Sequence, residues 1–481
     1  MELANKHLLK TRNFIGGQWR DSPAKLPVYD PANGGLLAEV ADAGPTDAEA
    51  AIAEAHTAFP VWKKRTAGER AAVLKRWYQL ILDNASDLAR LLTLEQGKPL
   101  AEARGEIIHG ASYIEWYAEE CRRAYGQTIP THNPGMRLQT IRQPVGVVSC
   151  ITPWNFPNAM ITRKVAPALA AGCTLVVKPA AETPLSALAL CQLAQDAGLP
   201  DGTLNMLVGS DAAGIGRVLT QDTRVAKFTF TGSTAVGKIL MAQCATGVKK
   251  VSMELGGNAP FIVCNDADLD TAVDACMATK FRNAGQTCVS TNRIYVHESV
   301  HDEFVARLRT AMTALQVGHG CEDGVTLGPL IHRRAVERVA QLVEDTAAAG
   351  AAIEVGGDFL PTGVNYYAPT LIAGVTDGMR IAREEIFGPV APVQKFAREE
   401  EVIHRANDTP YGLAAYVMSE NIRRANRLVE ALDYGMVACN AGVFSTAVAP
   451  FGGNKESGIG REGGIEGMTE FYDTKYCCYG T

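Results

Sequence analysis

The strongest constraint on the fold is an alternation of short β-branched runs with helical runs in the middle of the chain. Strand-like segments such as Val145–Ile151 and Val225–Phe230 alternate with helix-period segments such as Ile161–Ala171. Alternation at this spacing predicts a parallel sheet built through right-handed crossovers. A second alternating block over residues 259–449 predicts another α/β unit. Ligands of such sheets bind beyond the carboxyl ends of the strands.

The first 120 or so residues have mainly helical periodicity after a short β start around Phe14–Trp19. Two capping boxes predict helix starts, one at Thr46–Glu49 and the other at Thr66–Glu69. Near the other end, the aromatic tail from residue 470 onward is strand-like. Exposed β ribbons of this kind commonly pair with another strand.

Charge and composition exclude several classes of protein. The 481 residues carry a net charge of −6, which offers no basic surface for nucleic acid or an anionic membrane. The N-terminus has no apolar signal-peptide core, and the longest apolar stretch, Val165–Val177, is too short to span a bilayer. The 12 cysteines are scattered without a C-x-x-C pair, and the histidines form no close ligand pair. We therefore expect reduced thiols, a cytoplasmic protein and no metal site.

Two glycine-rich segments imitate nucleotide-binding motifs. Phe228–Ile239 nearly matches the P-loop, but Ile239 stands where that loop needs a hydroxyl for Mg²⁺. The segment still predicts a strand, a turn at Gly232-Ser233 and a helix N-terminus, which suits a phosphate without hydrolysis. Gly458–Gly463 matches G-x-G-x-x-G but has no strand before it, so we interpret it as a flexible surface turn.

Four polar residues lie at predicted strand or helix ends, and each has a plain and a functional interpretation. Cys288 is either a buried core thiol or a nucleophile, and its polar neighbours favour the nucleophile. Glu254 is either a solvated acid or a general base. Asn155 is either a helix cap or an amide that stabilises an oxyanion. Lys178 is either a surface lysine or a ligand of ribose or phosphate.

Together, seven motifs closely resemble the aldehyde dehydrogenase superfamily over essentially the whole chain. They are "PWNFP", "LVVKPAAETP", "FTGSTAVG", "MELGGNAPFIV", "FRNAGQTCV", "EEIFGPV" and "PFGGNKESGIGREGG". The segments "NAMITRKVAPALAAGC" and "KFRNAGQTC" are most similar to the succinate-semialdehyde dehydrogenases. The resemblance implies oxidation of an ω-carboxyl aldehyde, most simply succinate semialdehyde to succinate.

The resemblance also implies a domain organisation. Residues 1–121 and 145–256 would form a Rossmann-like cofactor-binding domain, and residues 257–449 a second α/β catalytic domain. Residues 122–144 and 465–481 would form a small β oligomerisation element. We therefore expect a homodimer or a homotetramer.

The resemblance assigns roles to individual residues. Cys288 would be the nucleophile, Asn155 would hold the oxyanion with the backbone N–H of Cys288, and Glu254 would activate water. The remaining residues of the family's cofactor site would be Trp154, Lys178, Pro179, Ala180, Ala181, Gly232, Ser233, Leu255, Glu385 and Phe387.

Cofactor and substrate preference depend on a few positions. An acid at position 181 favours NAD in many relatives, whereas Ala181 here leaves room for a 2′-phosphate, so we expect NADP with NAD tolerated. Arg163, Arg282 and Ser445 match residues that hold the distal carboxylate of succinate semialdehyde in relatives. The "STAVAP" loop departs from those relatives, so glutarate semialdehyde or a broad aldehyde range stays an alternative. An enzyme that transfers the acyl group to coenzyme A, or a crystallin-like structural protein, is disfavoured by the joint presence of Glu254 and Cys288.

Overall fold

The computed structural model describes residues 3–480 and contains two large sheets with helices on both faces. Five adjacent central strands of the first sheet are parallel, and antiparallel strands close both edges. In spatial order the strands of the first sheet are Gln18–Arg20, Asn13–Ile15, Leu204–Met206, Thr174–Lys178, Val147–Ile151, Val225–Thr231, Lys250–Glu254 and Gly458–Ile459.

The second sheet is parallel except at one edge, where the first two strands are antiparallel. Its strands, in spatial order, are Ala352–Val355, Thr370–Ala373, Val390–Phe396, Thr291–His297, Ala259–Val263, Ala414–Met418 and Met436–Cys439. The predicted α/β class with parallel sheets is therefore confirmed.

Smaller antiparallel sheets complete the strands. Tyr472–Gly480 pairs along its whole length with Met136–Pro144, which also pairs with Gln127–Ile129. The strand-like tail that the sequence predicts is thus present, up to the last described residue. Two further pairs were not predicted: Lys25–Tyr29 with Leu36–Ala41, and Tyr411–Gly412 with Asn454–Lys455.

Helices cover both faces of the two large sheets. The α-helices of residues 3–480 are Pro45–Trp62, Ala67–Asp83, Ala85–Gln96, Leu100–Glu120, Ala159–Ala171, Pro184–Asp196, Ala212–Gln221, Thr234–Cys244, Leu269–Lys280, His301–Thr313, Arg333–Ala348, Arg380–Arg383, Glu399–Asn407, Ile422–Ala431 and Gly464–Thr469. Short 3₁₀ turns occur at Lys6–Leu8, Cys121–Arg123, Ala245–Gly247 and Arg282–Gly285. In the described part of the chain, no helix is both long and apolar enough to cross a bilayer.

Each large sheet buries both faces, as parallel sheets with crossover helices must. In the first sheet, Leu175 and Val177 belong to one apolar cluster, and Val176 between them belongs to another. In the second sheet, Phe261 and Ile262 face separate clusters in the same way. Two buried faces explain why these strands have continuous apolar sequences rather than alternating ones.

Two local predictions were wrong. The first helix begins at Pro45 with Gly44 as its N-cap, and Asp47 accepts the Gly44 N–H, so the predicted cap at Thr46 lies two residues too late. Gly458–Gly463 is not a flexible surface turn, because Gly458–Ile459 forms an edge strand of the first sheet. The predicted capping box from Thr66 to Glu69 is present.

Candidate active site

The carboxyl ends of four adjacent parallel strands of the first sheet bring together most of the predicted site residues. Ile151 pairs with Lys178, and Thr231 pairs with Glu254, in the strand register. Each of these strands is followed directly by further predicted residues, which are Trp154, Asn155, Pro179, Ala180, Ala181, Gly232, Ser233 and Leu255. The geometry expected for ligand binding at a parallel sheet is therefore realised here.

The second sheet supplies the opposite wall through the segments that precede two of its strands. Cys288 precedes Thr291–His297, and Glu385 and Phe387 precede Val390–Phe396. Between the walls lies a cavity of about 600 Å³. Its lining residues are Pro153, Trp154, Asn155, Met160, Thr231, Gly232, Ser233, Leu255, Gly256, Cys288, His332, Arg334, Ala335, Arg338, Glu385, Ile386 and Phe387.

Cys288 is the nucleophile candidate at this cavity. Its side chain is partly exposed, unlike those of seven buried cysteines elsewhere in the chain. Burial by surrounding protein raises the pKa of the Cys288 thiol to about 12, and the positive charge of Arg163 opposes that rise. Among residues 3–480, the backbone N–H of Cys288 donates no hydrogen bond. The thiol is therefore neutral at rest, beside a free backbone donor.

The turn before Cys288 has an unusual backbone. Asn283, Ala284 and Gly285 all have positive φ, at 52°, 53° and 75°. Left-handed conformations cost energy for residues other than glycine and persist where surrounding contacts hold them. Asn283 is held in this way, because its N–H donates to Glu102 at 2.8 Å and its Oδ1 accepts from Gln96 at 2.9 Å.

Asn155 is fixed to the same turn. Its Nδ2 donates to the carbonyl oxygen of Gln286 at 3.0 Å, and its own carbonyl accepts from Asn283 Nδ2 at 2.9 Å. An amide nitrogen carries two hydrogens, so one N–H of Asn155 is free to reach a ligand. The amide of Asn155 and the backbone of the Cys288 turn are thus held in one rigid unit.

A buried ion pair supports Asn155 from behind. Lys98 Nζ lies 2.6 Å from Glu106 Oε2 and donates to the Asn155 carbonyl at 2.9 Å. Glu106 also accepts the N–H groups of Asn158 and Ala159, which begin the following helix. Sequence analysis did not identify this pair. The charged residues Lys98 and Glu106 in an otherwise helical segment are the only sequence signal that could have indicated it.

Glu254 ends its strand beside the cavity, between the lining residues Thr231 and Leu255. Its side chain is buried, and its Oε2 has no hydrogen-bond partner among residues 3–480. Burial, and then the negative charge of Glu462, raise the pKa of Glu254 well above its usual value. A raised pKa makes the Glu254 carboxylate a stronger base once it has lost its proton.

Glu462, which sequence analysis placed in a flexible turn, is a buried anion that binds two cations. Its carboxylate forms ion pairs with Arg163, at 2.5 Å, and with Lys164. Those two cations lower the pKa of Glu462 despite its burial. No local signal marks Glu462, because its partners lie on the distant Ala159–Ala171 helix.

The three predicted substrate residues all lie near His109, and none of them lines the cavity. Two buried guanidinium nitrogens, Arg163 Nη2 and Arg282 Nε, have no hydrogen-bond partner in the described chain. Ser445 lies beside them, with its Oγ 3.4 Å from His109 Nε2. Sequence analysis missed His109, whose pKa burial and the two guanidinium groups lower to about 4.

The predicted cofactor residues divide into two groups. Glu385 accepts the N–H of Gly257 at 3.2 Å, and burial raises its pKa to about 7. Phe387 contacts Trp154 edge-to-face at 5.5 Å, so both aromatic rings lie at the cavity wall. In the second group, Lys178 ends the strand Thr174–Lys178, and Pro179, Ala180 and Ala181 follow it directly. None of these four residues lines the cavity. Within residues 3–480, no cluster of three potential metal ligands exists.

A known protein family, curated proteins and crystal structures match this chain over nearly its whole length. The aldehyde dehydrogenase family matches residues 19–477. The 3-sulfolactaldehyde dehydrogenase of Pseudomonas putida is 52% identical, covering 100% of this chain and 99% of that protein. The succinate-semialdehyde dehydrogenase (NADP+) of Escherichia coli is 50% identical with 100% of both chains covered. The crystal structure of an NADP-dependent E. coli enzyme superposes with a TM-score of 0.99 at 50% identity, again with 100% of both chains covered. The chain therefore belongs to the aldehyde dehydrogenase family.

Proposed function

We propose that this aldehyde dehydrogenase oxidises an aldehyde with a distal carboxylate, succinate semialdehyde to succinate in the first instance, with NADP preferred and NAD tolerated. The observation that carries the proposal is a pair of buried guanidinium nitrogens without hydrogen-bond partners, Nη2 of Arg163 and Nε of Arg282. Buried donors without acceptors are costly, and a carboxylate satisfies guanidinium groups well. Ser445 beside them offers a hydroxyl to the same anion.

Cys288 begins the reaction by adding to the aldehyde carbon. The C–S bond forms as the carbonyl π bond becomes an oxyanion, so the thiol proton must leave. That proton passes to solvent, which reaches the partly exposed side chain of Cys288. The free N–H of Asn155 and the backbone N–H of Cys288 then hold the oxyanion of the thiohemiacetal. Loss of one such donor typically lowers kcat by ~10²–10³.

The cavity fits a pyridine nucleotide. Gly256 lines it, and a Cβ there would lie 3.1 Å from Glu385 Oε2, so a side chain would intrude on a ribose ligand. Glu385 would hold the nicotinamide ribose, and Phe387, Trp154 and Leu255 would line the ring's pocket. When bound, the oxidised nicotinamide accepts the hydride that leaves the substrate carbon.

The second half of the site meets the rest of the cofactor. Ser233 caps the Thr234–Cys244 helix, whose N-terminus opens beside Gly232 and suits a pyrophosphate. Lys178 would hold the adenosine ribose, with Pro179 and Ala180 beside it. Ala181 would leave space for a 2′-phosphate, which an acidic side chain there would repel.

Glu254 completes the cycle by hydrolysing the thioester on Cys288. With its proton removed, the carboxylate takes a proton from water, and the hydroxide that results attacks the acyl carbon. The C–S bond breaks, Cys288 regains its sulfur electrons, and the product leaves as a carboxylate. The balance is aldehyde, water and oxidised cofactor to carboxylate, reduced cofactor and two protons.

Several observations support a soluble oligomeric enzyme of the cytoplasm as the working form. All twelve cysteines are free, as in a reducing compartment. The three-stranded sheet leaves Gln127–Ile129 as an edge and exposes Tyr476 and Tyr479. We propose that this sheet joins copies of the chain into a homodimer or a homotetramer.

The test is a substrate panel measured with both cofactors. Succinate semialdehyde, glutarate semialdehyde, 3-sulfolactaldehyde and uncharged butanal are compared by kcat/KM, with coenzyme A added in a parallel series. We expect succinate semialdehyde to exceed butanal by at least about tenfold, since a charged hydrogen bond contributes about 1.5–3 kcal/mol. The product should be the free acid, without acyl-coenzyme A. Equal kcat/KM values for the anionic aldehydes and butanal would refute the proposal.

A further inference from the structure

His109 lies where the three candidate substrate residues meet. It projects from the Leu100–Glu120 helix, half-buried, with Nε2 3.4 Å from the Oγ of Ser445. Its ring contacts Tyr113 edge-to-face, with the centroids 5.2 Å apart. A donor–acceptor distance of 3.4 Å is long for a hydrogen bond between a ring nitrogen and a hydroxyl. The imidazole therefore has hydrogen-bonding capacity that the protein alone does not use well.

The charges around His109 are unusual for a histidine. The guanidinium groups of Arg163 and Arg282, on a different helix and on the turn before Cys288, are both close enough to disfavour a third positive charge. The polar groups facing the ring are Ser445 and the phenol of Tyr113, neither of which is charged at neutral pH. His109 is thus a neutral imidazole among cations, and a neutral imidazole has one N–H donor.

An imidazole with two guanidinium groups nearby favours an anionic ligand. Glu462 pairs with Arg163, but Arg163 Nη2 and Arg282 Nε have no hydrogen-bond partner among residues 3–480, so these donors near the ring lack acceptors unless a ligand anion binds. An anion among them would accept from the unpartnered guanidinium nitrogens of Arg163 and Arg282, from Ser445 and from the ring N–H. It would also offset part of the positive charge that opposes ring protonation.

We propose that His109 is a specificity-determining residue that donates its ring N–H to the distal anionic group of the aldehyde substrate. The inference rests on the proposed function, because it concerns the end of the same substrate. It adds a fourth donor to the two arginines and the serine. It also explains how the site selects aldehydes with an anionic end over neutral ones of the same length.

The test compares two variants of equal backbone context. His109→Phe keeps a planar ring but removes the donor, and His109→Gln keeps an N–H donor at similar reach. KM and kcat are measured for succinate semialdehyde and for butanal, and the melting temperature confirms folding. For succinate semialdehyde we expect about a tenfold higher KM in His109→Phe and at most about a threefold rise in His109→Gln. For butanal we expect both constants to change by less than about twofold.

A binding measurement separates this inference from the proposed function. Calorimetric titration of each protein with succinate, the expected product, should show affinity lost in His109→Phe and largely retained in His109→Gln. If the wild-type enzyme does not prefer succinate semialdehyde over butanal, the proposed function fails. If it does prefer succinate semialdehyde and His109→Phe keeps the same preference and succinate affinity, the assignment of His109 is overturned.

Discussion

Arg163 Nε lies 2.5 Å from Glu462 Oε2, and both charges of this ion pair act on Glu254, the proposed general base. Glu462 raises the pKa of Glu254, whereas Arg163 and Lys164 lower it. Arg163, a candidate substrate residue, therefore also affects the charge around the proposed catalytic carboxyl. Because of this double role, substitutions of Arg163, Arg282 and Glu462 should have different effects on the enzyme.

Replacing Glu462 should change the pH dependence of turnover. Glu462→Gln removes a negative charge and leaves two cations uncompensated, and both changes lower the pKa of Glu254. Since the base acts only when deprotonated, the acidic limb of the kcat–pH profile should move to lower pH. The exposed Glu466→Gln serves as the control and should leave the limb in place. An unmoved limb in Glu462→Gln would show that Glu254 does not limit the rate.

The two arginines should behave differently when removed. Arg282 has no ion pair within residues 3–480, so Arg282→Ala should raise KM for succinate semialdehyde about tenfold and leave butanal kinetics and melting temperature nearly unchanged. Arg163→Ala should also raise that KM. It should in addition lower kcat for butanal and lower the melting temperature, because it leaves Glu462 buried with one partner fewer. Identical kinetics and melting temperatures for the two variants would contradict this distinction.

Removing the general base should stop the reaction after the redox step. In Glu254→Gln, Cys288 can still become acylated, but no carboxylate activates water for hydrolysis. Rapid mixing should show a burst of up to one reduced cofactor per subunit, followed by turnover at least about 10²-fold slower. Mass spectrometry of the quenched protein should find the acyl group on Cys288. Cys288→Ala should show neither burst nor adduct.

The Lys98–Glu106 pair should be tested by a double-mutant cycle. Lys98→Met leaves a buried carboxylate that has lost its cation, so we expect a free energy of unfolding lower by about 3–5 kcal/mol. Adding Glu106→Leu should recover part of that loss, because it removes the unpaired charge. Chemical denaturation of the two single variants and the double variant provides the measurement. Additive losses would indicate that the two side chains act independently.

Cofactor preference should respond to position 181. Ala181→Glu places a carboxylate where a 2′-phosphate would bind, so kcat/KM with NADP should fall at least about tenfold more than with NAD. Ala181→Gln, of the same size without the charge, should have a smaller effect. The same loss with both cofactors would mean that the side chain blocks the adenosine site as a whole.

The strands of the two sheets could be predicted because their signals are local. The observed strand Val225–Thr231 differs from the predicted Val225–Phe230 by one residue at its end, and Val147–Ile151 differs from the predicted Val145–Ile151 by two residues at its start. Continuous β-branched runs between helices are characteristic of strands buried on both faces. Most candidate site residues end or follow these strands in the sequence. They could therefore be predicted to lie at one edge of the sheet without knowledge of any side-chain contact.

Features that depend on distant partners could not be predicted from local sequence. Gly458–Ile459 is two residues long and becomes a strand only by pairing with Met253 and Glu254. In the sequence, Glu462 and Glu106 cannot be distinguished from ordinary surface acids. They can be buried because cations elsewhere in the fold pair with them. His109 lies on a helix whose periodicity gives no sign that its ring meets two arginines. The Lys25–Tyr29 strand was missed since Pro27 interrupts its pattern.

The pairing of Lys164 with Glu462 spans 298 positions of the chain, which has a consequence for biogenesis. During synthesis the Ala159–Ala171 helix, which carries Lys164, emerges from the ribosome long before Glu462. Until Glu462 is made, the nascent chain cannot bury Lys164 next to a balancing negative charge. The surroundings of Cys288 can form fully only after the segment that contains Glu462 has docked. An incomplete translation product is therefore kept from acquiring a competent reaction centre.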